Sequence, residues 1–195
     1  MKRVVAVLVA AVAIGSCSMA NAAQSVKVGD MKLTCKVIEL IKDTITADGK
    51  VTMLSTQTGT LKTGQVRLDS LVAQTVKFDI ISNKTTSTPK SAKATGGVTI
   101  KARRANQDTD AAGKPIVVMQ TIQAVAQNAI MENSMERIVL TGKVTVKITE
   151  PGNPNPVYDG VCDKLTLSLK DGKMRMESDS EDQTQINFVL KEKRQ

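Results

Sequence analysis

Histidine is absent from the 195-residue sequence, and so is tryptophan. Without histidine the chain lacks the commonest general base at neutral pH and a common zinc ligand. Its only aromatics are Phe78, Tyr158 and Phe188, too few to build the stacking platforms that hold single-stranded nucleic acid. The three cysteines, Cys17, Cys35 and Cys162, form no Cys-x-x-Cys pair, so neither a zinc knuckle nor a dithiol redox centre is indicated. A glycine-rich phosphate loop of the Walker or dinucleotide type is also missing. Two fragments imitate penicillin-binding motifs, Ser87-Thr88-Pro89-Lys90 and Lys62-Thr63-Gly64. Their order is reversed, and Pro89 within a polar tract opposes the helix that such a nucleophile requires. Paired acids such as Glu181 and Asp182 read as solvated charge. No catalytic residue, metal ligand or cofactor site emerges, and a non-enzymatic role is expected.

A membrane-length apolar run is lacking too. The longest, Val4 to Ile14, follows the basic pair Lys2 and Arg3 and falls well short of the ~20 residues that span a bilayer. It leads into Ala20-Asn21-Ala22, an A-x-A cleavage pattern, so residues 1–22 are expected to be a signal peptide and residues 23–195 one exported domain. Ile14-Gly15-Ser16-Cys17 loosely matches a lipoprotein signal, the alternative processing route. Export to an oxidising compartment leaves Cys35 and Cys162 either joined as a disulfide or buried separately. Spacing does not choose between these.

The chain carries 27 basic and 19 acidic residues. Removing Lys2 and Arg3 leaves 25 against 19, a mature charge of +6. With nucleic acid set aside by the missing aromatics and by export, this balance suits ordinary solubility or an anionic lipid surface.

What the sequence has in abundance is period-two alternation, the signature of strands with one buried face. Leu165, Leu167 and Leu169 alternate with Thr166, Ser168 and Lys170; Asp171-Gly172 marks a hairpin, and Met174 and Met176 resume the pattern. Ile186, Phe188 and Leu190 repeat it before the polar tail, as do Met31, Leu33, Cys35 and Val37, and Val76, Phe78 and Ile80. Gln120 to Met135, although rich in Ala and Gln, is assigned to strand. Polar stretches at Ser82–Gly97, Ala105–Pro115 and the proline-rich Glu150–Gly160 are expected to be loops.

A weak repeat runs through the chain. Asp48-Gly49-Lys50-Val51-Thr52-Met53 recurs as Thr95-Gly96-Gly97-Val98-Thr99-Ile100 and as Thr141-Gly142-Lys143-Val144-Thr145-Val146, at intervals of 47 and 46 positions. Glycine ahead of an alternating β-branched run reads as a bend feeding a strand. Its recurrence suggests a layered stack of similar hairpins.

The segment from Arg137 to Leu190 carries a family resemblance. Ile138-Val139-Leu140-Thr141-Gly142-Lys143-Val144 resembles the V-L-T-G-N-V signature of the OstA/LptA family, with Lys143 in place of Asn. Asp163-Lys164-Leu165-Thr166 resembles that family's A-D-K-I-T strand, and Lys170 to Met174 its hairpin. Ile45 to Met53 is similar more loosely, and Val66 to Ile80 matches poorly. The resemblance implies an all-β fold, an open β-jellyroll of stacked antiparallel strands in the periplasm. It also implies a non-catalytic bridge that holds lipopolysaccharide acyl chains (lipid A) and passes them from inner to outer membrane. LptC-like and LptD-like transport partners and a head-to-tail homo-oligomer are implied with it.

Composition agrees with an acyl-chain groove, which needs aliphatic walls and adaptable thioethers. The inward candidates are Val51, Met53, Val98, Ile100, Met131, Ile138, Leu140, Val144, Val146, Leu165, Leu167, Leu169, Met174 and Met176. Each alone is more simply read as sandwich core, and only collective placement in an unclosed interior would make them a site. A structural or adhesive envelope β-sandwich is the rival reading.

The A-x-A pattern generates a direct test. N-terminal sequencing or intact mass of the exported product is expected to place the mature start at Ala23, and an acylated Cys17 would instead establish the lipoprotein route.

Overall fold

The computed structural model describes residues 23–82, 87–110, 112–132, 134–153, 155–178 and 185–188. The expected leader, residues 1–22, with Cys17, lies outside them, as do Leu190 and the polar tail. Every regular element described is a strand: β1 (Gln24–Val28), β2 (Met31–Cys35), β3 (Val37–Ile41), β4 (Thr44–Ser55), β5 (Val66–Ser82), β6 (Ser87–Thr109), β7 (Pro115–Glu132), β8 (Arg137–Thr149), β9 (Tyr158–Ser168), β10 (Met174–Glu177) and β11 (Gln185–Phe188). All eleven belong to one antiparallel sheet in the order β1-β2-β4-β5-β6-β7-β8-β9-β10, with β3 on β4 and β11 on β9. The expected all-β, open jellyroll is the observed architecture.

The long strands do not run straight. Ladders shift register between Asp48 and Val51 in β4, between Thr95 and Val98 in β6, and between Thr141 and Val144 in β8. Those sites are the three copies of the repeat. At each, two consecutive residues are left-handed: Gly49 and Lys50 (φ 80° and 58°), Gly96 and Gly97 (84° and 78°), Gly142 and Lys143 (82° and 49°). The intervening strands answer with adjacent positions that both face away from the core, Gln74-Thr75, Gln127-Asn128 and Asp163-Lys164. A bulge bends its strand and sharpens the local twist. Aligned across neighbouring strands, these bulges form a crease that divides the sheet into two limbs.

The first limb holds β1, β2, the second halves of β4, β6 and β8, the first halves of β5, β7 and β9, and β11. The second holds β3, the complementary halves and β10. The limbs fold face to face about one apolar cluster that draws residues from both. The repeat interval is thus two strands, one hairpin of a continuous creased sheet. The expected stack of similar hairpins is realised as successive hairpins of that one sheet.

Two of the expected loops are largely strand. Ser87–Gly97 belongs to β6, and of Ala105–Pro115 the first five residues continue β6 and Pro115 opens β7. In the first case the core side is made of Ala92 and Ala94, both buried, which polarity scanning overlooks beside Lys93 and Thr95. Pro89 is accommodated because it sits where the β5–β6 register shifts, next to the step between Asp79 and Ile80. In the second, the β6–β7 hairpin extends beyond the core on backbone pairing, Asn106 opposite Val118 and Asp108 opposite Ile116. From Glu150 to Gly160, the final three residues, Tyr158 to Gly160, are already β9. Gln120–Glu132 is strand as expected, and Ser134 and Met135 make a turn with positive φ.

The crease yields a stability test. A Cβ on Gly96 would collide with the Gln74 side chain, whereas one on Gly97 meets nothing within 4 Å, although both have positive φ. Gly97→Ala is expected to cost about 1–3 kcal/mol through backbone strain alone, and Gly96→Ala more. Lys143→Asn, which puts a residue tolerant of left-handed backbone at φ 49°, is expected to stabilise by roughly 0.5–1 kcal/mol. Urea unfolding midpoints order the three variants.

Candidate functional site

The space between the limbs is where the candidate residues meet. Val51, Met53, Val98, Ile100, Val144 and Val146 come from the first limb, and Met131, Ile138, Leu140, Leu165 and Leu167 from the second; all eleven are at most 1 % exposed. Leu169, Met174 and Met176 pack against the same cluster, partly buried. Leu169 differs from its expected place, since β9 ends at Ser168 and Leu169 opens the turn. The alternation is regular because each inward residue pairs with an inward residue on the next strand: Leu140 with Leu165, Ile138 with Leu167, Leu165 with Met176.

Leu33, Leu71, Phe78 and Ile122 are equally buried and absent from the candidate set. Leu33 and Phe78 stood in legible alternations. Leu71 and Ile122 lie in stretches where bulges or small residues blur the period. Alanines 47, 73, 92, 94, 102, 124, 126 and 129 complete the walls, so the interior is aliphatic, narrow and almost without aromatic bulk.

The candidate residues are filled core here, packed limb against limb. A long-chain ligand between them requires the limbs to part. The lateral ends are less closed. At one end β3 is an edge strand carrying Val37, Leu40 and Ile41 at 52 %, 60 % and 58 % exposure, and Leu40 shares the inward face with Ile38 and Ile45. At the other, the Tyr158 hydroxyl lies 2.6 Å from the Met176 sulfur, and burial pushes that phenol above its ordinary pKa.

Along the mouth opposite the crease the limbs touch. The Val66 amide of β5 donates to the Leu169 carbonyl beyond β9 (3.0 Å), joining the two limbs, while Gly64 of the β4–β5 loop is held within the first limb by donating to Ala105 (2.8 Å). Gly172 is drawn so close that a Cβ there would fall 2.5 Å from the Gly64 carbonyl oxygen. Near the β1–β2 turn, Gly29 likewise lies against Pro89.

Cys35 and Cys162 are free, buried thiols, the second of the two alternatives open from sequence. They lie on β2 and β9 in the same limb, six ladder steps apart, or about 28 Å along the sheet. A disulfide needs Cα atoms within about 7 Å. Burial raises both thiol pKa values above the ordinary 9.0. In the folded state they therefore stay protonated where the unfolded chain ionises, so stability is expected to fall as pH rises above about 9. Alkylation at neutral pH is expected to track global unfolding, and fast modification of the native protein would show that either strand opens locally.

No protein-family model matches the sequence, and no curated protein matches it. Solved structures do. The crystal structure of LptH, the LptA homologous periplasmic component of the conserved lipopolysaccharide transport device from Pseudomonas aeruginosa, aligns with 83 % of this chain and 95 % of its own. The TM-score is 0.51 and the identity 12 %. The agreement is one of fold. The chain has an LptA-like fold.

Proposed function

We propose that the protein is a non-catalytic periplasmic carrier that holds the acyl chains of lipopolysaccharide between its limbs and relays them toward the outer membrane. The observation that carries this reading is the aliphatic seam between two limbs of one creased sheet. A seam of Val, Ile, Leu, Met and Ala presents few fixed polar groups, and so can accept flexible hydrocarbon of varied length. Met53, Met131, Met174 and Met176 add side chains that reshape at little cost. The fold likeness to a periplasmic lipopolysaccharide-transport component supports the same reading, as does the leader-like N-terminus.

Transfer between molecules is proposed to run end to end. Among the described residues, each lateral end has unpaired strand edges, β1 and β3 at one and β10 and β11 at the other, and such edges template strand addition. The expected first edge, Val26 to Val37, resolves into β1 and β3, because β2 is enclosed between β1 and β4. The expected last edge, Ile186 to Leu190, is described as far as Phe188, in β11. Contact between unlike edges does not close on itself and can propagate. LptC-like and LptD-like proteins are the proposed partners at the two ends of such a chain.

Photo-crosslinking residues at Met131 and Leu165 are expected to capture lipopolysaccharide, while Thr166 and Ser168, on the alternate face, are not. Equal labelling of both sets would remove the case for an interior site. Light scattering over a concentration series is expected to show growing oligomers that vanish when Gln185–Gln195 is deleted. A monomer at every concentration, or oligomers that survive the deletion, would count against the edge contact.

A further inference from the structure

The mouth of the two limbs holds a charge that the interior does not account for. Arg104 follows Ala102 by two on the inward face of β6, and is in register with Val66 on one side and Gln120 on the other, both buried. Its Nε is shut off from solvent and has no hydrogen-bond partner. A guanidinium donor removed from water without an acceptor is costly, and such groups commonly mark the place of an unseen ion or ligand. Other nearby charges are already engaged. The Gln120 amide donates to Glu150 just past β8 (2.7 Å), and Lys173 pairs with Asp171 in the β9–β10 turn (3.1 Å).

That turn covers the arginine. A Cβ on Gly172 would lie 3.3 Å from the Arg104 Nε as well as against the Gly64 carbonyl. Among the described backbone hydrogen bonds outside the ladders, Val66 to Leu169 is the one that joins the limbs. Parting the limbs at the mouth therefore breaks this bond and uncovers Arg104 at the boundary between the aliphatic seam and solvent. A lipid lying in the seam would present its polar end there.

We propose that Arg104 is the contact for a phosphomonoester on the headgroup of the bound lipid, with the β9–β10 turn as the cover that closes over the site when it is empty. This rests on the carrier reading above and adds a headgroup preference to it. Guanidinium suits the role because its donors are arrayed to engage phosphate oxygens in pairs.

The test uses the full mature protein, with displacement of a fluorescent fatty acid as readout. Phosphorylated lipid A, its fully dephosphorylated counterpart and inorganic phosphate alone are the three competitors. Wild type is expected to prefer the phosphorylated lipid by about tenfold, the scale of one charge-assisted hydrogen bond. Arg104→Gln is expected to erase that preference while leaving dephosphorylated-lipid affinity and melting temperature unchanged, and Arg104→Lys to keep part of it. Equal loss for both lipids in Arg104→Gln, or a preference that survives it, overturns the assignment. Inorganic phosphate competing as well as the lipid would make this a free-anion site and overturn the headgroup role. Wild type that takes both lipids without preference overturns this proposal alone. Wild type that takes neither overturns the carrier reading together with it.

Discussion

A sheet folded back on itself must keep the same face inward on both sides of the fold. In a strand, successive side chains point to opposite faces, so a simple bend leaves the pattern unchanged while an inserted residue inverts it. Here Ala47 to Val51, Ala94 to Val98 and Leu140 to Val144 each step four residues across the crease, and the last two of the three residues between are left-handed. On the strands between them the step is three, from Ala73 to Val76, from Ala126 to Ala129 and from Cys162 to Leu165. Alternating the two kinds of step lets neighbouring strands bend together and keeps every inward residue inward. Glycine at the first left-handed position does double duty. It accepts the backbone angle and leaves room for Lys36, in the bend between β2 and β3, or for Gln74 or Gln127 on the adjoining strand.

From that constraint follows the character of the interior. Both walls come from one sheet, so they approach along the crease and can separate at the mouth without breaking a ladder. Closed, the walls exclude water completely around Val98, Ile100, Ile138 and Leu165, which stabilises the empty protein by ordinary apolar burial. In the proposed carrier role, cargo of the same aliphatic chemistry would replace that contact with little net change in buried surface. A carrier that must both load and release gains from such near-balance. An interior that bound hydrocarbon much better than it bound itself would not let go.

Much of this was legible in particular residues. The alternations at Leu165–Leu169 and Met174–Met176 are unbroken and end at a turn with a clear Asp171-Gly172 signal, so their strands, facing and hairpin could all be read. The Gly-x-Val-Thr repeat was visible with its spacing, and its association with bends was physically grounded. The polar stretches at 87–97 and 105–109 were misread because their inward residues are alanines or because backbone pairing alone sustains the strand. Neither feature raises a hydrophobic signal. Lys50 and Lys143 in left-handed backbone had no sequence cue of their own. Only the pairing of their own bulged strands, β4 and β8, with the neighbouring strand places them there.

The sequence by itself determined the all-β character, the inward face of the regularly alternating strands and the places where strands bend. These are local properties, set by side-chain period and backbone permissiveness within a few residues. The tertiary structure alone decided that the three bends align into one crease, and that the limbs close into a filled seam rather than an open groove. It also decided that Cys35 and Cys162 end up on distant strands, and that Arg104 lies beneath Gly172 at the mouth. Each of those depends on register between segments far apart in the chain, and no local pattern encodes register across a fold.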